Sequence, residues 1–299
     1  MNPPRDHHFI PAFYLKQWET GTEEKLVEYS LQYGKLISKP VGRKATGFQT
    51  DLYAFSDLPP NMVQYLEEKF FDYADRTASD ALALHLHRSP GGWNSELLSA
   101  GSRFVIGIHL RHPDAIPEIR AAVEAIWEEI SVDMQRDYNG QRQPRDPMTY
   151  DEYLARRDPF TAAKARLNLV MKAIDNELIG THVNQMKWAT LDLSASPNRL
   201  LTSDRPVEMY LIKEAEGFIA LPISPTKLFV AVNTQAMLDD CGAQQPVDIV
   251  RRVNKRVVGY ARRFVWASDE SQAQFIQDNM SKAMEPPPLL PSLGRYKKP

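Results

Sequence analysis

Positions Val63, Leu66, Phe70, Tyr73, Thr77, Ala81 and Leu84 recur at three- and four-residue steps, with polar and charged residues between them. That spacing predicts a long helix with one buried face, Asn61 placed as its N-cap and Pro90-Gly91-Gly92 as its stop. A second helix is predicted over 95–112, ended by Pro113, and a third over 117–137, with Pro117 in its first turn. Residues 138–147 have the composition of an exposed loop. Helix returns over 149–157 and, after Asp158-Pro159, over 161–188.

Either side of this helical middle the period changes from helical to extended. Residues 26–29 and 35–38 flank Gly34 and read as a hairpin with a loop of several residues, followed by an extended piece at 52–55. Near the other end, 207–212, 218–221 and 227–232 read as short strands, and 264–267 as a returning strand. Between them lies a helix over 248–261 with Val250, Val253, Val257 and Tyr260 on one face. The expected fold is α+β, with the N- and C-terminal β segments sharing a sheet around a large helical middle. Residues 1–285 are expected to form one domain: β-rich over 1–60, helical over 61–190, and β-rich with one helix over 191–285. The Pro-rich, basic tail 286–299 is expected to be disordered.

Composition narrows the function classes. With 36 Lys and Arg against 38 Asp and Glu the net charge is −2, so a nucleic-acid contact would need a local basic patch. The single cysteine, Cys241, excludes an intrachain disulfide and a Cys-rich metal site, and it fits a reducing compartment, with the cytoplasm as the default location. No apolar stretch approaches the roughly 20 residues of a membrane span, so no membrane role is expected. There is no Gly-rich phosphate loop, dinucleotide fingerprint or nucleophile elbow, which argues against nucleotide kinases, Rossmann dehydrogenases and ordinary α/β-hydrolases.

Four groups of residues carry candidate chemistry. His7-His8 sits in HHFIPAFYL, a segment too aromatic for a frayed terminus; neighbours on a strand point to opposite faces, so one histidine is expected to face a site. Ser203, Asp204 and Arg205 occupy a turn that supplies a carboxylate for a cation and a guanidinium for a phosphate, although Ser-Asp-X-Pro also suits a plain Asx turn. Arg111 with His109 and His112 ends the second helix, where positive groups complement the dipole or bind an anionic substrate. The run Arg251, Arg252, Lys255, Arg256, Arg262 and Arg263 suits either phosphate contacts or a solvated helix face.

HHFIPAFYLKQW near the start, LRHP at 110–113, LTSDRPV at 201–207, LPISP at 221–225 and the late VNKRVVGYARRFVWAS resemble, in order and spacing, a mainly bacterial family known as domain of unknown function 4238. The resemblance implies that His7, His8, Pro11, Tyr14, Leu15, Arg111, Thr202, Ser203, Asp204 and Pro206 occupy the family's motif positions. The resemblance also implies a glutamate in the first long helix, where the nearest alignment puts Asp75, with Glu67 or Glu68 as rivals, and a glutamine where this sequence has His109; at both positions the sequence departs from the family pattern.

Together these readings point to metal-assisted hydrolysis of a phosphodiester, with a nuclease as the leading case. His8, Asp75 and Asp204 would hold Mg²⁺, Mn²⁺ or Zn²⁺; His7, His8, Arg111, Ser203 and Asp204 would act in catalysis; Tyr14, His109, Arg205, Arg252 and Arg256 would contact the substrate. The alternative is a non-catalytic protein whose His, Asp and Arg cluster is structural or binds a small ligand or partner.

Overall fold

The computed structural model describes residues 5–87, 92, 94–280, 282 and 284. Strand β1 (Asp6–His8) leads into a short helix α1 (Ala12–Leu15); β2 (Leu26–Gln32) and β3 (Lys35–Val41) form a hairpin, and β4 (Phe48–Thr50) returns to pair antiparallel with β1. The hairpin loop is two residues, shorter than expected, because Tyr33 and Gly34 both take positive φ, at 52° and 77°. Such a turn matches the right-handed twist of the strands. The extended piece expected at 52–55 is a turn instead.

The middle is helical: α2 (Asp72–His87), α3 (Ser95–Leu110), α4 (Ala115–Gln141), α5 (Tyr150–Arg157), α6 (Thr161–Ile174) and α7 (Glu177–Gln185). A π-helical stretch, Leu66–Phe71, runs directly into α2, and Asn61 lies in the turn before it rather than capping it. Pro90 and Gly91, read as the stop, lie outside the described residues. The loop expected to start at Tyr138 starts after Gln141, since Tyr138 is held by Tyr150 and Tyr153 and its hydroxyl donates to the Pro147 carbonyl at 2.8 Å. Helix 161–188 is interrupted where Asn176 caps a new helix through Ile179 N–H, and Trp188 belongs to the strand that follows.

That strand is β5 (Lys187–Asp192), followed by β6 (Thr202–Ser203), β7 (Glu208–Tyr210), β8 (Phe218–Ser224), β9 (Lys227–Val232), α8 (Gln235–Ala243), α9 (Pro246–Tyr260), β10 (Val265–Ala267) and α10 (Ala273–Met280). Three helices thus stand where one was expected. Both α8 and α10 are short, eight or nine residues, and too brief to show a clear period.

Besides the β1-β4 pair, one four-stranded sheet has the order β3-β2-β10-β6, so the N- and C-terminal β segments do share a sheet; a second has the order β5-β9-β8-β7. In this second sheet successive residues enter different cores. Ile219, Leu221, Phe229 and Ala231 face the main core with the helical middle, whereas Ala220, Leu228 and Val230 face Val250, Val253 and Val257 of α9. Burial on both faces explains why β8 and β9 read as nearly unbroken apolar runs. The fold is α+β.

The N-terminal segment is built into the main core. Phe9, Ile10, Tyr14, Leu15 and Trp18 have no exposed surface. Phe9 and Ile10 donate their N–H groups to the Gly47 carbonyl, and Gly47 takes φ 69°, a conformation that favours glycine. Trp18 Nε1 donates to the Leu200 carbonyl at 2.9 Å, and the Tyr14 hydroxyl donates to the Pro222 carbonyl at 2.7 Å while bonding Thr202 Oγ1. These ties hold β1 against elements some two hundred residues away. Among the described residues no helix is long and apolar enough to cross a membrane.

Candidate functional site

The two adjacent histidines diverge. His7 is fully buried, stacked on the Tyr53 ring at 5.3 Å, and its Nδ1 accepts the Tyr53 N–H at 2.9 Å. His8 points the other way, close to Phe48 and within the electrostatic reach of Arg111 and Asp75. Burial holds the His8 ring below the usual imidazole pKa, although a hydrogen bond to the Lys44 carbonyl opposes this. His8 Nε2 is buried without a hydrogen-bond partner.

Arg111 is the centre of this group. It caps α3, where helix end and Pro113 turn the chain, and only 2% of it is exposed. Its Nη2 donates to Asp75 Oδ1 at 2.9 Å, its guanidinium lies 5.4 Å from the Phe71 ring centre, and its carbonyl accepts the Tyr53 hydroxyl at 2.8 Å. Arg111 Nε is buried and unpartnered.

Glu67 completes the cluster. Burial pushes its carboxyl up to about 8, with Arg111 and the backbone N–H of His8 opposing and Asp75 and Asp72 reinforcing the shift. One of its oxygens, Oε2, is buried with no partner. At neutral pH it is therefore largely a protonated acid. Residues eight apart in a regular α-helix would be roughly 80° out of phase. The wider π-helical turn at Leu66–Phe71 removes much of that offset, which brings Glu67 and Asp75 to the same guanidinium.

The family's Asp204 does other work. It is 1% exposed, and its two oxygens accept the backbone N–H groups of Arg262 at 3.0 Å, Arg263 at 2.6 Å and Phe264 at 3.2 Å. Burial raises its carboxyl to about 6 against the pull of these three donors. Asp204 thereby pins the turn before β10 and is engaged as a structural acceptor. Ser203 Oγ accepts the Arg205 N–H at 3.1 Å, an ordinary turn bond, and Tyr14 is the buried tie already described. The expected set of His8, Asp75 and Asp204 does not come together as a cation site: among the described residues no group of three or more His, Cys, Asp or Glu side chains is placed to hold a metal ion.

A second polar group lies beside the first. Arg205 pairs with Asp114, and His112 Nδ1 accepts the Asp114 N–H at 3.2 Å. Burial and the nearby Arg205 charge press His112 down to about 3, and His109, in the last turn of α3, to about 4. Both histidines are neutral at physiological pH. Arg252 bonds Gln244, and Arg256 bonds Tyr260 and faces Glu208, so the basic face of α9 is braced by its own neighbours in the C-terminal third.

A model of the family described as "Protein of unknown function (DUF4238)" matches residues 6–271. The chain belongs to the DUF4238 family. No curated protein and no solved structure matches it. The two ends of the DUF4238 match, from the histidine pair to the strand after Arg263, are the segments that the shared sheet and the Tyr14 bonds hold together.

Asp204→Ala is expected to remove three backbone hydrogen bonds to a buried carboxylate and to lower unfolding free energy by about 3 kcal/mol in urea denaturation. A loss below about 1 kcal/mol would contradict the structural role. Glu67 binds its proton more tightly folded than unfolded, so its stabilising contribution is complete below the ordinary carboxyl range and is lost as pH rises through about 8. The stability of the natural protein relative to Glu67→Gln should thus fall between pH 5 and 9, on the order of 1 kcal/mol per pH unit at its steepest. A difference that is flat or rises with pH would show that Glu67 is ionised.

Proposed function

We propose that this DUF4238 protein is a hydrolase of phosphodiesters centred on His8, Glu67 and Arg111, with Asp75 holding the arginine. One observation supports the reading: His8 Nε2, Glu67 Oε2 and Arg111 Nε, from three separate segments, are buried and unpartnered around one fixed positive charge. Buried polar atoms are usually paired, because each orphan costs free energy, and the neighbouring His112 Nε2 and Arg205 Nε are unpartnered as well.

In the proposed reaction Arg111 Nε–H binds a non-bridging phosphoryl oxygen, where negative charge builds in the transition state. The lone pair of His8 Nε2 takes a proton from the attacking water as the new P–O bond forms. The protonated Glu67 gives its proton to the leaving alkoxide as the ester P–O bond breaks. A pair of groups whose environments drive one to stay an acid and the other a base is suited to this division of labour. Each of these steps uses the chain's own side chains; among the described residues no group of three or more His, Cys, Asp or Glu side chains is placed to hold a metal ion. Nucleic acid is one member of the substrate class.

The test is turnover of bis(p-nitrophenyl) phosphate, DNA and RNA, each with and without Mg²⁺, Mn²⁺ or Zn²⁺. Hydrolysis is expected in at least one condition, with His8→Ala and Glu67→Gln each lowering kcat about 10²-fold or more while melting within a few degrees of the natural protein. Intact substrates under every condition, or full activity in both variants, would overturn the proposal.

A further inference from the structure

A cavity of about 170 Å³ opens between the π-helical stretch with α2 on one side and α3 with the end of α6 on the other. Arg111 and Asp75 belong both to its wall and to the cluster. Its apolar wall is formed by Phe70, Phe71, Ala78, Phe104 and Ile174. A second ion pair, Arg103 with Asp175 at 2.9 Å, also lines it. Exposure separates the two arginines. The side chains of Arg103 and Asp175 are 48% and 37% exposed, marking the mouth, whereas that of Arg111 is 3% exposed and marks the floor.

Gly107 supplies an independent sign that the space is kept open. Two glycines lie inside α3, where a glycine weakens a helix relative to alanine. At Gly101 a Cβ would meet the Trp188 ring at 2.9 Å, so close packing accounts for it. At Gly107 a Cβ would meet nothing within 4 Å, and Gly107 lines the cavity. No neighbour demands glycine there; a side chain would project into the empty volume.

We infer that this cavity is the recognition pocket of the same site, and that it takes a flat apolar group the size of one aromatic ring, carried by a phosphoryl group that lies against Arg111. The volume suits such a group, since a cavity of roughly 150 Å³ lined by Leu, Ile and Phe takes benzene. Aromatic walls favour a ring by offset or edge-on contact. The inference rests on the phosphodiester reading for its phosphoryl group, and it narrows the substrate class to aryl or similarly ring-bearing phosphate esters.

The experiment is calorimetric titration of the full chain with phenylphosphonate and methylphosphonate, neither of which carries an ester to hydrolyse. Phenylphosphonate is expected to bind at least about tenfold more tightly, the return on burying one ring. Gly107→Leu, and separately Ala74→Leu on the same wall, should remove that preference with the circular dichroism spectrum unchanged. Equal affinity for the two probes, no binding of either, or a preference that survives both substitutions would overturn the inference. A ring preference without turnover of any diester would sink the hydrolase reading and leave the pocket standing. Turnover without ring preference would do the reverse.

Discussion

A guanidinium cannot shed its charge, and in this fold one of them, Arg111, is almost wholly removed from water. Such a charge is tolerable only with a partner, and Asp75 supplies it. Around this fixed pair the remaining groups settle into neutral forms: burial keeps a proton on Glu67 and keeps one off His8. The polarity of the whole cluster follows from that one buried ion. Three orphaned polar atoms beside it then mark the point where packing stops short of satisfying its own hydrogen bonds.

The elements that carry the cluster are held by bonds that have no part in the proposed chemistry. Tyr53 joins the His7 ring to the Arg111 carbonyl, which fixes β1 relative to the end of α3. Tyr14 and Trp18 fasten the segment after the histidines to the C-terminal sheet, and Asp204 fastens the turn that starts β10. The family's motif residues therefore divide by role. His8 and Arg111 meet in the cluster, whereas His7, Tyr14, Ser203 and Asp204 make the frame rigid enough to hold it. Rigidity of this kind is what a preorganised site requires.

The alternation of apolar residues showed the hairpin, the helical middle and the late strands, because those elements have one clear buried face or two. The shared sheet followed from having strands at both ends. The breaks were less visible. Helix 161–188 has no glycine or proline at its true interruption, where the Asn176 cap decides, and the two short helices α8 and α10 offer too few turns for a period. In the site, His8, Arg111 and Asp75 were legible from motif and chain position. Glu67 was only one of two rivals to Asp75, since its place depends on a π-helical turn that an apolar pattern does not reveal. Asp204 looked like a ligand because its acceptors' partners are backbone N–H groups 58 to 60 residues away, and backbone donors leave no mark on a sequence.

The most direct test of a protonated acid beside a neutral base is NMR titration of the natural full-length protein, following the Glu67 carboxyl carbon and the His8 ring nitrogens from pH 4 to pH 9. The expected result is that Glu67 titrates near 8 and that His8 stays a neutral imidazole through the physiological range. A Glu67 that titrates near the ordinary carboxyl value of about 4.3, together with a His8 that gains its proton near about 6.5, would contradict it.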